Sequence, residues 1–400
     1  MRVYHFSEEP YPDAWSYDRP TLRVTLPNAL CQPDVAHKLY NRYIDEWVLA
    51  DELGLDLMVN EHHQTATCIT SAASVILGIL ARVTTRSRIL ILGVPIANRP
   101  DPVRVAEELS MIDVISGGRL EMGFVKGIPY EITPANSSPI RFVDRFWEAH
   151  DLIVKAMTTH DGPFNFEGEF FHHRNVNVWP RPMQQPHPPV WVTTGSPGNA
   201  RELGRRGYVM GTFLGGYPAT RQLHEAYVEG WREAGRSADI PVDRFGYLAL
   251  AAMASTDAEA RRRAEHIVDY IRTTGQVLEP FKMPPGYFPV DGLTRMLRTP
   301  AKPRQVRPVL LRSGRRVEPS TASLDDLIES GLLFCGTPDA VYRQICEFVD
   351  GIGGLGNLML MMQGGALGHE DTADNLRLFA REVMPRLAER YPASQTFVPA

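Results

Sequence analysis

Long apolar runs are missing from this chain. The longest, Ile89 to Ala97, is far short of the roughly 20 residues needed to cross a bilayer. Met1 to Pro20 likewise has no apolar core of the kind a secretory signal carries. Cysteine is scarce: Cys31, Cys68, Cys335 and Cys346 stand far apart, with no CxxC or Cys/His spacing. That excludes a disulfide framework and a structural zinc, and points to a reducing compartment. Charge of one sign is not concentrated either, since 42 Lys and Arg oppose 47 Asp and Glu and only one late segment is a block of like charge. Nucleic acid is therefore not an expected partner. The absences together describe a soluble, cytoplasmic protein that handles a small molecule.

What is present is a large apolar fraction, 44% of 400 residues, arranged in a repeating rhythm. Arg2 to Phe6 alternates as a first strand, and Ser7 to Pro33 is too rich in Pro, Tyr and Asp to hold regular structure. From Asp34, apolar residues recur every four positions (Val35, Leu39, Tyr43, Trp47) until Gly54 stops the helix, and Leu55 to Val59 is a second strand. Thr70 to Arg82 reads as a helix and Arg88 to Leu92 as a buried strand. Asp101-Pro102 opens the next helix, Gly117-Gly118 closes it, and Leu120 to Phe124 follows as a strand.

Further strands are expected at Pro189 to Thr193, Tyr208 to Phe213, Phe245 to Ala254 and Leu358 to Met362, with a surface hairpin at Phe164 to Phe171. Helices at 141–157, 200–206, 218–235, 257–273, 338–350 and 372–390 complete the pattern. About eight strands, each followed by a helix, predict an α/β fold: a single TIM (β/α)8 barrel with insertions over 1–400, its chemistry at the C-terminal strand ends. Thr274 to Ser323, rich in proline and in Lys and Arg, interrupts the rhythm as an inserted loop.

Two polar clusters fall at such exits. Glu61-His62-His63 follows the second strand, where neighbouring side chains point to opposite faces, so the histidines are not expected to share a metal. HExxH spacing is absent too. Beside the reading of a satisfied pair at a strand end stands a functional one: an imidazole facing a pocket as base or hydrogen-bond donor, with Glu61 orienting its surroundings. Lys126-Gly127 puts a cation at the rim after the fourth strand. Gly195-Ser196-Pro197-Gly198-Asn199-Ala200 leaves a strand and opens a helix, whose first N–H groups suit an anion. Gly351-Ile352-Gly353-Gly354-Leu355-Gly356 matches GxGxxG, but it follows a helix and precedes a strand, the reverse of a dinucleotide fingerprint. Asp113 and Arg119 read as a structural pair, and Met359, Met361 and Met362 as core.

In order and spacing, Glu61-His62-His63, Asp101 to Glu108, Asp113 to Arg119, Lys126-Gly127 and Gly336-Thr337-Pro338 resemble the bacterial luciferase-like flavin-dependent monooxygenases, and the resemblance runs from Met1 to about Arg390. It implies a TIM barrel that binds reduced FMN at its C-terminal face with His62 near the flavin ring. Glu61 and His63 complete the implied catalytic set. The family's phosphate cation, usually arginine, falls on Lys126, and its second phosphate turn on Gly195, Ser196, Gly198 and Asn199. A non-proline cis peptide under the flavin falls near Gly93-Val94. Val125 stands where the luciferases carry a reactive cysteine, which argues against light emission.

The implied activity is that of a two-component monooxygenase. A separate flavin reductase supplies reduced FMN, O2 adds at the flavin C4a to give a peroxide, and one oxygen passes to a small organic substrate. Two other readings stand beside it: an F420-dependent oxidoreductase on the same scaffold, and a non-catalytic flavin-binding protein. The resemblance also suggests a homo-oligomer, most simply a dimer. It leaves 274–323 open as a lid over the flavin pocket or an arm between protomers.

Overall fold

The computed structural model describes residues 1–273, 275–287, 294, 308–392 and 395–398. Eight parallel strands close on themselves: β1 (Arg2–Phe6), β2 (Asp56–Val59), β3 (Ile89–Pro95), β4 (Leu120–Val125), β7 (Val190–Thr193), β8 (Val209–Phe213), β9 (Phe245–Met253) and β13 (Asn357–Met361). The ring is sealed by β8 pairing with β9, β9 with β13, and β13 with β1. This is the expected TIM barrel. Its interior is filled by alternate strand residues, among them Tyr4, Phe6, Met58, Leu92, Trp191, Leu248 and Met359. Tyr4 donates to the buried Glu121 carboxylate at 2.9 Å, and Arg2 and Arg88 each reach Glu121 at 3.2 Å. Packed interior and polar floor leave the C-terminal mouth as the place for a ligand.

The helices lie outside, and their apolar faces join the outward strand residues in a second, larger core. α1 (Pro33–Glu52), α3 (Pro102–Ser116) and α5 (Phe142–Thr158) occupy the expected segments. Asp101 caps α3 by accepting from the N–H groups of Val103 and Arg104, and Gly117 ends it in the left-handed conformation. α2 is Ala73–Val83, three residues shorter at its start than the pattern suggested, because the Ala73 N–H is taken by the Glu61 carboxylate. The surface hairpin pairs β5 (Phe164–Glu167) with β6 (His172–Val176), so its second strand lies beyond Phe171.

Three further departures are corrections. β9 is long enough to outrun β8, and a strand the sequence reading missed, β12 (Leu333–Gly336), pairs with its upper half from Leu250 to Met253. A two-stranded ribbon of β10 (Val309–Leu310) and β11 (Arg316–Val317) lies within 274–323. Asp113 and Arg119 do not pair. Asp113 accepts from the Gln184 backbone and side chain, whereas the Arg119 guanidinium donates to the carbonyls of Ala81, Thr84, Ser87 and Ser116 and to the Thr84 hydroxyl.

α6 (Pro197–Arg206) and α7 (Gly216–Glu233) touch backbone to backbone. A Cβ on Gly204 would lie 2.0 Å from the Tyr227 carbonyl oxygen, and one on Gly230 1.8 Å from that of Arg201. Gly230→Ala must therefore part the helices. It should lower unfolding free energy by about 1 to 3 kcal/mol, the usual cost of overpacking, in urea titration; an unchanged midpoint would show that the helices slide freely. Among the described residues no helix is long and apolar enough to cross a membrane.

Candidate active site

Strand exits bring the polar residues together at the mouth. β1 runs into Ser7, Glu8 and Glu9, its neighbour β2 into Asn60, Glu61, His62 and His63, and β4 into Lys126 and the short helix α4 (Pro129–Ile132). His62 lies between two buried carboxylates, its Nδ1 3.0 Å from Glu131 Oε1 and its Nε2 3.7 Å from Glu8 Oε1. Burial by itself pushes the imidazole down; the charge of Glu8 and the hydrogen bond and charge of Glu131 outweigh it and hold His62 above the ordinary histidine range. Burial opposes ionisation of Glu131 too, but His62 and the His63 N–H, which donates at 3.0 Å, hold this carboxyl below its usual range. Glu8 moves the other way. Burial raises it, and His62, Arg23, Tyr270 and Asn60, whose amide donates at 3.0 Å, offset only part of that.

The two distances explain the asymmetry. At 3.0 Å His62 and Glu131 share a charge-assisted hydrogen bond, whereas 3.7 Å to Glu8 is too long for one. With 21% of its side-chain surface still open, His62 is a proton-bearing group that buried acceptors hold at the mouth. Behind it Arg23 Nη1 donates to Tyr130 Oη at 2.7 Å, and the guanidinium lies 4.7 Å from the ring centroid.

His63, beyond the end of β2, engages a different carboxylate. Its Nε2 is 3.1 Å from Glu61 Oε1, the same oxygen accepts from Arg99 Nη2 at 2.7 Å, and Glu61 Oε2 accepts from Ala73 N–H at 3.1 Å. Glu61 thus anchors α2, Arg99 and His63. Of the two imidazoles, Glu61 holds that of His63, whereas Glu131 and Glu8 flank that of His62. No sequence spacing leads to Glu131, 69 positions from its partner. The one signal for Glu8 is its place just beyond the first strand, the place Glu61 holds after the second.

A second group of residues lies across β3, β4 and β7. The cis peptide is Leu92–Gly93, one bond earlier than Gly93-Val94, at a bulge where Leu92 pairs with Gly123 and Val94 with Phe124. A Cβ on Gly93 would meet the Gly123 carbonyl oxygen at 2.7 Å, so only glycine allows this approach. Val94 is buried, and Val125 ends β4 opposite Pro95. β4 and β7 pair from Met122 to Phe124, so Lys126 and the 194–199 turn follow the exits of neighbouring strands. Lys126 Nζ sits 4.2 Å above the Tyr287 ring, with no carboxylate partner among the described residues, and burial lowers its pKa to about 8. In the turn, Ser196 caps α6 by accepting from Asn199 N–H at 3.3 Å, and among the described residues nothing lies within 4 Å of where a side chain on Gly198 would stand.

A half-buried cation without a counter-ion among the described residues, with a capped helix N-terminus after the neighbouring strand, fits a phosphate group. Of 274–323, only Tyr287 is seen to reach the Lys126 cation; residues 274, 288–293 and 295–307 lie outside the described residues, and with them Phe288 and the middle of the expected lid or arm.

Residues 25–354 match the model of the luciferase-like monooxygenases. The chain is 29% identical over 175 residues to the oxygenase component of the flavin-dependent trigonelline monooxygenase of Acinetobacter baylyi, covering 42% of this chain and 46% of that one. The chain spans about half the length of that relative. With 2,5-diketocamphane 1,2-monooxygenase 2 of Pseudomonas putida it shares 23% identity over 376 residues, covering 86% of this chain and 94% of the other. Its fold is like that of a monooxygenase from Streptomyces bottropensis, with a TM-score of 0.73 at 22% identity over 97% of this chain and 100% of that one. An F420-dependent secondary alcohol dehydrogenase shares the fold as well, with a TM-score of 0.63 at 16% identity over 96% and 98%. Since the family model spans well over half of the chain, the barrel belongs to the luciferase-like monooxygenases, a family of oxidoreductases.

Proposed function

We propose that this protein is the oxygenase of a two-component system, which takes reduced FMN from a separate flavin reductase and uses O2 to oxygenate a small organic substrate. The observation that carries this reading is the cation of Lys126, without a carboxylate partner among the described residues, with the Ser196 to Asn199 turn after the neighbouring strand, at the same barrel mouth as His62. Lys126 and the turn would hold the FMN phosphate. Gly93, Val94 and Val125 would supply the apolar wall between phosphate and histidine. When bound, reduced FMN supplies the electrons that activate O2. His62 holds a proton at Nε2, the nitrogen not bonded to Glu131, and its two carboxylates keep that proton in place as pH approaches neutrality. Buried Tyr130 and Arg23 keep water from the rear of the imidazole.

Lys126→Ala should weaken reduced-FMN binding by about 1 to 3 kcal/mol, the range for losing a charged hydrogen bond. In the unaltered protein, affinity should fall as pH rises through about 8, where Lys126 loses its proton. Titrating the protein with FMN and with F420, each oxidised and reduced, and following fluorescence checks both. Binding of F420 alone, or a dissociation constant indifferent to Lys126→Ala, overturns the reading.

A further inference from the structure

The two carboxylates beside His62 act on different nitrogens. Glu131, held ionised, can only accept at Nδ1, so that nitrogen carries a proton in the neutral ring and in the charged ring alike. The proton that comes and goes is therefore the one on Nε2, and the acid facing it is Glu8, at 3.7 Å. Glu8 is only 4% exposed, and its own charge is in the balance: burial favours the neutral carboxyl, and neighbouring groups favour the carboxylate. A neutral Glu8 gives the Nε2 proton no counter-charge. Whatever keeps Glu8 ionised thus keeps His62 charged.

The groups that favour the carboxylate are His62 itself, the charge of Arg23, the Asn60 amide, which donates to Oε1 at 3.0 Å, and the Tyr270 hydroxyl, which hydrogen-bonds to the same carboxyl. Glu9, Cys68 and Tyr130 also lie in the field of Glu8, and none of them is a cation. Asn60 follows β2 and Arg23 belongs to the loop after β1, whereas Tyr270 comes from the short helix Asp269–Thr273, more than half the chain away. Its ring packs on the barrel-interior core, and its helix is pinned to the Arg23 loop. Tyr17 of that loop donates to Asp269. Beyond the helix, Gln276 Nε2 donates to the Ser16 carbonyl at 3.1 Å, and the Gln276 carbonyl accepts from the Leu22 N–H at 3.1 Å.

We propose that Tyr270 is a positioning residue of the reaction: by donating its hydroxyl to Glu8 it holds that carboxylate against His62 and so keeps a proton on Nε2. Tyr270 acts through Glu8 and His62 in series. The proposal rests on the reading of His62 as the proton-bearing group of the site, and it assigns a part to a side chain that no motif in the sequence singles out.

The test follows both ring nitrogens of His62 against pH by NMR of the full chain, isotope-labelled at histidine and free of flavin, with His62→Gln to assign the signals. Glu8→Gln should lower the proton affinity of Nε2 at least about tenfold, the usual effect of removing an opposite charge at this range. Tyr270→Phe should lower it about three- to tenfold, the net worth of one hydrogen bond, with Nδ1 still bonded to Glu131. In the Glu8→Gln background, Tyr270→Phe should do nothing further, because the carboxylate it acts on is gone. Tyr17→Phe loosens the same helix without touching Glu8 and should leave the titration as it was. In the unaltered protein, the Tyr270 ring carbon that bears the hydroxyl should shift through the His62 midpoint, a readout that remains if Tyr270→Phe does not fold. A Nε2 affinity unmoved by Tyr270→Phe, the same fall with Tyr17→Phe, an undiminished fall in the Glu8→Gln background, or a Tyr270 signal indifferent to the His62 midpoint overturns the proposal. Failure of the cofactor reading shows separately, in the reduced-FMN titration of Lys126→Ala, because these shifts are recorded without flavin.

Discussion

Glu9→Gln should stabilise the protein at pH 8.5 by up to about 4 kcal/mol and change little at pH 4, because the native state holds this carboxyl in its neutral form at a cost. Glu9 is fully buried just beyond β1, neither of its oxygens has a partner among the described residues, and burial, with the charge of Glu8 added, pushes its pKa up to about 8. Between the ordinary carboxylate range and about 8, the unfolded chain has released a proton that the native state still binds. Unfolding then releases that proton, and stability falls as pH rises across the window. Below the window both states are protonated and the effect is absent; above it the full cost is felt. The glutamine side chain of the variant cannot titrate and has the same shape. Glu8, also raised, keeps a smaller slope of its own in the variant. Urea titrations at pH 4 and 8.5 measure the difference, and parallel stability–pH curves for the two proteins would show that Glu9 is ionised in the native state.

His62→Gln should lower product formed per reduced flavin by roughly 10² to 10⁴, the range for a lost general acid or base, with FMN affinity unchanged. Glutamine keeps a donor for Glu131 Oε1 but carries no transferable proton. His62→Ala is a different experiment. It leaves the Glu131 carboxylate, 2% exposed, with the His63 N–H as its remaining partner, and breaking a buried pair in this way costs about 3 kcal/mol. The pH dependence of the His62 contribution carries two signs. Its raised pKa gives stability that is complete below the ordinary histidine range and lost as pH climbs through the folded value. The depressed pKa of Glu131 gives stability that is lost as pH falls through its own. Maximum stability of the pair thus lies between the two. Normal product yield from a less stable His62→Gln protein would assign the residue to the fold instead.

The alternation of strand and helix, the cap at Asp101, the stop at Gly117 and the burial of Met359, Met361 and Met362 were legible in the sequence, because each depends on neighbours a few residues away. The family, too, could be recognised, since its motifs keep their order along the chain. What lay beyond local pattern was the pairing of strand exits. That Glu131 rather than Glu61 grips His62, that Arg23 from an irregular loop backs Tyr130, and that Asp113 and Arg119 find separate partners were decided by the closure of the barrel. β12 escaped notice because it pairs with the overhang of β9, which exists only once β8 has ended. Periodicity fixes which side of an element is apolar. The partner of a buried charge is fixed by which exits the closed ring places side by side, and that is a property of the tertiary structure alone.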